Sequence, residues 1–184
     1  AEGSSTVAVE VDELAPGTTY WYRFTSSGAT SPVGRTRTLP AGRPERLRIG
    51  FTTCARYGQS RFHVYRALAT ADLDLVVHLG DYIYEDTKAD VPGREPEPDH
   101  DCVTLDDYRA RHLQSRRDPD LQLLHQRHPM VVVWDDHDIA DNAFQQGAFN
   151  HQSAREGDFA TRKESAVRAY REWMPLRPGP DPEQ

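Results

Sequence analysis

Lysine is almost absent from this chain. The 22 basic residues include only Lys88 and Lys163 as lysine, and the others are arginine. Acidic residues number 29 and the net charge is −7, which argues against wholesale binding to nucleic acid or an anionic membrane. The arginine excess reads as a base-composition bias of the source, not as a phosphate-binding surface. Long apolar runs are missing too. None approaches the roughly 20 residues of a membrane span, and no signal peptide is visible. Cysteine is limited to Cys54 and Cys102. Such a pair is one disulfide, two free thiols, or a ligand and a bystander. Their different surroundings favour the last reading. Apolar residues make up 37% of 184, and mean hydropathy is −0.76, somewhat polar for a self-sufficient globule. The chain opens on a strand-like stretch without Met, so its natural start is expected elsewhere.

Residues 1–40 carry β signals. Thr6 to Val11 alternates as a strand should, and Leu14 to Thr19 turns into a second strand over Tyr20 to Thr25. Ser26-Ser27-Gly28-Ala29-Thr30 is hairpin chemistry, with Pro32 to Thr38 returning. Tyr20 after Leu14 and Pro16 matches a tyrosine corner, whose phenol bonds back to upstream backbone. These features predict the C-terminal strands of an immunoglobulin- or fibronectin-like β-sandwich over 1–40. A linker is expected over 41–46, and an α/β unit with parallel strands and flanking helices over 47–184.

In that unit Leu47 to Thr53 predicts a strand ending at Cys54. Ser60 is placed to cap a helix carrying Phe62, Tyr65, Leu68 and Ala69. Leu73 to Leu79 predicts a second strand, ending in Gly80-Asp81-Tyr82-Ile83-Tyr84-Glu85. The βαβ order implies parallel pairing. Residues 86–101 predict an exposed loop. Thr104 with Asp107 predicts a capping box, and Asp118-Pro119 a further helical start. A polar loop should run from Asn142 to about Gly157, a helix from Phe159 to Trp173, and a connector from Pro175 to Gln184.

The densest chemistry lies in Met130 to Asn142. A valine-rich run, of the kind buried on both faces of a sheet, changes abruptly to Asp135, Asp136, His137 and Asp138, then Asp141 and Asn142. Carboxylates packed so closely repel one another, and a cation would relieve that cost. A polar turn with Asp135 or Asp138 as a helix cap is the plainer alternative. In open parallel sheets, however, ligands bind beyond the carboxyl ends of the strands. The three strand ends bring Cys54, then Asp81 with Tyr82 or Tyr84, then Asp135, Asp136, His137 and Asn142. Carboxylates suit hard cations, and a thiolate and phenolate beside them suit ferric iron or another transition metal. His78 and Trp134 are expected in packing. Cys102 and His100 are expected in the loop without catalytic duty.

Phe51-Thr52-Thr53-Cys54, Gly80-Asp81-Tyr82-Ile83-Tyr84-Glu85 and Trp134-Asp135-Asp136-His137-Asp138 with Asn142 resemble the successive motifs of PhoD-type alkaline phosphatases and phosphodiesterases. The resemblance covers about 50–173. It implies a metallophosphoesterase-like half-domain. Cys54, Asp81 and Tyr84 would bind Fe3+, with Asp81 bridging to Ca2+ and Asp136 and Asn142 in the Ca2+ part. Asp135 and Asp136 compete for one ligand role. His137 would act on phosphate oxygens while metal-activated hydroxide attacks phosphorus. Arg56 and Tyr57, with Arg61, come just after Cys54 and are candidates for substrate contact. The family's later histidine ligands have no counterpart here, which predicts a fragment of a longer, exported enzyme acting on phosphate mono- or diesters. The competing readings are a non-catalytic binding module and a lipid-cleaving phosphodiesterase.

Overall fold

A computed structural model describes residues 6–176. Of the expected connector, residues 177–184 lie outside the described part, as do residues 1–5 ahead of the first expected strand.

The front segment contains two small antiparallel ladders. Strands β1 (Thr19–Tyr22) and β4 (Gly34–Arg37) pair, and between them β2 (Thr25–Ser26) and β3 (Ala29–Thr30) form a tight hairpin. Ser27 and Gly28 both take positive φ, 48° and 83°. That is the I′ turn whose twist matches a two-residue hairpin. The Tyr20 phenol accepts a hydrogen bond from the Ala15 N–H at 2.8 Å, five residues upstream, as the corner pattern requires. Thr6–Val11 is not a strand. Its alternation is present, but a strand needs a ladder neighbour. None of the described strands pairs with it, and Val7, Val9 and Val11 stand exposed. The segment docks on the α/β unit through polar contacts, among them Arg35 donating to the Arg127 carbonyl at 3.2 Å. Gln126 Nε2 donates to the Val33 carbonyl at 2.8 Å, and Arg37 pairs with Asp74 at 2.5 Å.

No helix or strand lies between Arg37 and Ile49. Strands β5 (Ile49–Thr52), β6 (Leu75–His78) and β7 (Met130–Val132) then form one parallel sheet in that order. Helix α1 (His63–Thr70) is the crossover from β5 to β6. Gly50 lets it sit close: a Cβ there would lie 2.7 Å from Leu73 Cδ1 and 3.0 Å from Leu68 Cδ2. Ser60 does not cap this helix. Its hydroxyl turns back to the Arg56 carbonyl, and Phe62 occupies the cap position without a side-chain bond. Helices α2 (Leu105–Arg117) and α3 (Pro119–Arg127) fill the β6-to-β7 crossover. The Thr104–Asp107 capping box and the Asp118 cap start them. A short helix α4 (Ser153–Glu156) interrupts the expected loop, and α5 (Phe159–Trp173) packs on α2.

The strands are not buried on both faces among the described residues. Val76, His78 and Val132 point into the core, while Phe51 and Val131 are 60% and 49% exposed. Described helices cover one face, so the valine-rich run alternates instead of being uniformly buried. Tyr65, Tyr82, Tyr108, Leu124 and Tyr170 build the core behind that covered face. Cys102 lies there as well, fully buried, and burial pushes its thiol up to about 12. His78 is a core histidine as expected, held by the Tyr65 hydroxyl at 3.0 Å.

Candidate metal centre

The parallel ladder continues past the formal strand ends. Cys54 N–H donates to the Gly80 carbonyl at 3.2 Å, and Ala55 N–H to Asp81 at 3.1 Å. Three non-glycine residues at this edge adopt left-handed backbone: Cys54 (φ 55°), Asp81 (φ 53°) and Asn142 (φ 52°). Such conformations are uncommon and costly for residues with a Cβ, and they collect where side-chain placement matters. All three are residues singled out above as metal ligands.

Asp81 is the centre of the cluster and is 5% exposed. Its Oδ2 receives the Tyr84 hydroxyl at 2.9 Å and lies 3.4 Å from the Cys54 sulfur. Its Oδ1 receives the His137 N–H at 3.3 Å. Ligand atoms of Asp81, Asp135 and Asp136 all lie within 4.8 Å of one another, as do those of Asp136, His137 and Asp141. Asp136 therefore belongs to both groups, and Asp135 joins Asp81 as well. Asn142 is bonded into the same turn, its N–H donating to Asp136 Oδ2 at 2.5 Å. Among the described residues, no arginine or lysine forms an ion pair with Asp81, Asp135 or Asp136. Burial raises the Tyr84 phenol above its ordinary pKa, and the bond to Asp81 and the neighbouring Cys54 raise it further. A cation at this place would act in the opposite sense, favouring phenolate and thiolate. Crowded acids with no basic partner, joined by a thiol and a phenol, are a donor set that fits a metal.

Two residues outside the expected ligand set organise this cluster. Asp138, 1% exposed, closes the turn Asp136–Asp138 and accepts four backbone N–H groups. Oδ2 takes those of Asp81 (2.9 Å) and Asp135 (3.0 Å); Oδ1 takes those of Tyr82 (3.0 Å) and Ile83 (3.2 Å). One carboxyl thus ties the end of β6 to the end of β7. Burial pushes it up to about 7, while the N–H donors pull the other way. Glu85 is fully buried and holds His137 Nδ1 at 2.8 Å. Burial opposes the charged imidazolium, but Glu85, with Asp81 and Asp136 nearby, raises the ring's pKa above its ordinary value. Both acids lie inside the motifs already quoted. Nothing in a linear string says which acid of a motif turns inward to grip backbone.

Gly80 is required here for a related reason. Its φ is +103°, and a Cβ would fall 2.7 Å from Asp135 N and 2.9 Å from Trp134 C. Both neighbours are backbone and cannot step aside. Gly80→Ala is expected to destabilise the fold by roughly 2–4 kcal/mol through strain and overlap. It should also push the 135–138 turn away from Asp81. Urea unfolding of the variant measures the first effect, and metal uptake the second.

The residues after Cys54 divide. The Arg56 guanidinium stacks 3.7 Å over the Tyr84 ring and pairs with Asp86, so it sits beside the cluster. Tyr57 turns to the core, edge-on to Phe62 and beneath Arg94 at 3.7 Å. His100 is a solvent-facing side chain near Asp107, and Trp134 is half exposed against Tyr170.

Comparison with known proteins agrees with these elements. Residues 49–184 match the PhoD-like phosphatase family, and residues 1–40 match its N-terminal domain. Alkaline phosphatase D of Bacillus subtilis (strain 168) is 38% identical over 177 residues, which is 93% of this chain and 30% of that protein. A solved structure described as that of PhoD superposes with a TM-score of 0.82 at 39% identity, covering 92% of this chain and 33% of the other. The chain spans about a third of the length of these relatives. With both family signatures met in order along one polypeptide, the chain belongs to the PhoD-like phosphatase family.

Proposed function

We propose that this chain supplies part of the metal site of a phosphatase that hydrolyses phosphate mono- or diesters. The observation that carries this reading is the meeting of a thiol, a phenol and carboxyl groups from three strand ends around Asp81. Cys54, Tyr84 and Asp81 would hold Fe3+, since sulfur and phenol donors beside carboxylate suit that ion. Asp81 would also face Ca2+, with Asp136 and Asn142 on that side and Asp135 as the alternative acid. Bound there, the cations supply Lewis acidity toward phosphate oxygens and make water acidic enough to attack near neutral pH.

The chain's own residues have separate tasks. His137 offers its Nε2 to phosphate oxygens, while Nδ1 is engaged by Glu85. Arg56 lies on Tyr84 at the edge of the cluster and is the substrate-side cation; Tyr57 supports Arg94 in the wall behind it. Residues 1–40 would be the C-terminal part of a sandwich-type domain, 41–46 the linker and 47–184 the N-terminal half of the metallophosphatase domain. Export to the periplasm, cell surface or medium accompanies this reading, because ferric iron and calcium are at home outside the reducing cytoplasm.

Metal content and visible absorption test it. Protein loaded with Fe3+ should absorb in the visible through phenolate-to-iron charge transfer, and Tyr84→Phe should abolish the band. Folded protein that takes up no iron or calcium would overturn the assignment. Hydrolysis of aryl monoesters, aryl diesters and phospholipid by the protein containing this chain then separates the substrate classes.

A further inference from the structure

We propose that Glu85 is a positioning residue that fixes both the tautomer of His137 and the path of residues 141–150. Neither task belongs to the ligand set. The Glu85 carboxyl is fully buried, and its two oxygens are used differently. Oε2 lies 2.8 Å from His137 Nδ1. Oε1 accepts the Asp141 backbone N–H at 2.7 Å and the Asn150 side-chain amide at 2.6 Å. A carboxylate only accepts, so the ring must carry its proton on Nδ1 and leave Nε2 for other partners. Nε2 is 3.8 Å from Asp141 Oδ1. The residue before Glu85 completes the grip. The Tyr84 ring packs on the imidazole with centroids 4.3 Å apart and planes 35° apart. Consecutive residues thus hold the face and the edge of one ring.

The chemistry makes Glu85→Gln a sharp test. Glutamine has one acceptor oxygen and one NH2 donor. The Asp141 backbone N–H cannot be reversed, so the oxygen must take the Oε1 place. The NH2 then faces His137 and donates to Nδ1, and the ring proton moves to Nε2. The volume and the fold are kept, while the tautomer is exchanged.

Long-range proton–nitrogen correlation spectra of the 184-residue chain report the tautomer directly. They are best recorded near pH 9, well above an ordinary histidine pKa of about 6.5. His137→Asn assigns the signal by its loss. The expected result is Nδ1–H in the native chain and Nε2–H in Glu85→Gln, with the rest of the amide spectrum preserved. Nε2–H in the native chain, or the same tautomer in both, overturns the proposal. A general unfolding of Glu85→Gln also counts against it, because it would make Glu85 a structural residue alone.

A second arm rests on the phosphoester reading. In the protein containing this chain, Glu85→Gln should lower kcat by roughly 100-fold, within the span of general acid–base catalysis. KM should change little, and Glu85→Asp should recover part of kcat. A tautomer exchange without a kcat effect would retain the positioning of His137 and count against its catalytic role.

Discussion

Asp138→Ala should unfold at a much lower urea concentration than the native chain, with a loss of about 3–5 kcal/mol. The size reflects the number of donors stranded. Four backbone N–H groups, those of Asp81, Tyr82, Ile83 and Asp135, end on this one side chain. Each buried donor left without a partner costs roughly 1–3 kcal/mol, reduced where water can enter. Asn is no gentle replacement. One of its two terminal atoms would be an NH2 facing two N–H donors, whichever way the amide turned. Asp138→Asn is therefore expected to lose nearly as much as Asp138→Ala. The urea slope should stay constant, because the surface exposed on unfolding is the same. A loss under about 1 kcal/mol would mean that water replaces the carboxyl and that the strand ends are held by other means. Metal uptake should fall in parallel, since Asp81 and Asp135 share one Asp138 oxygen.

Local chemistry was the most legible part of this chain. The Thr104–Asp107 box, the Asp118–Pro119 start, the Ser27–Gly28 turn and the Tyr20 corner each need only a few neighbouring residues, and each formed where expected. The parallel pairing of the strands came from the crossover spacing, and the sheet brings Cys54, Asp81, Tyr84 and Asp136 to one edge. What failed depended on partners far away in sequence. Thr6–Val11 has the right alternation but no ladder partner among the described residues. The valine-rich run at Val131 had the composition of a doubly covered strand, yet one face of the sheet is open in the described part, where Val131 and Phe51 are exposed. Ser60 lost its cap role to a bond with Arg56 O. The inward turn of Asp138 and Glu85 could not be separated from the outward position of Asp135. All three are acids in acid-rich motifs, and only the left-handed backbone at Asp81 and the turn at 136–138 decide which one meets the N–H groups.

The neutral, buried rings of His78 and His112 should withdraw about 4 kcal/mol of stability between pH 7 and pH 5, against an opposite contribution from Asp138, whose carboxyl burial pushes up to about 7. Burial also holds His125 and His128 below their ordinary values, in the same sense as His78 and His112. Burial lowers His78 to about 4. His112 is lowered to about 3, by burial first and then by the Arg116 cation. Both rings are neutral in the fold. An unfolded chain takes up these protons near pH 6.5, so below that value the unfolded state binds more of them. The contribution is therefore complete above pH 6.5 and is lost as pH falls toward the folded values of 3 to 4. Once in that window, each group contributes a slope of up to about 1.4 kcal/mol per pH unit. His112 separates this cause from general acid effects. Its ring lies parallel to Trp173 with centroids 6.1 Å apart, and neither ring nitrogen has a hydrogen-bond partner among the described residues. Phenylalanine fills the same space without a titrating group. His112→Phe should leave stability at pH 7 unchanged or higher and reduce the acid slope by up to about 1.4 kcal/mol per pH unit. Urea midpoints at pH 7, 6 and 5 measure both, and an undiminished slope in the variant would place the acid sensitivity elsewhere.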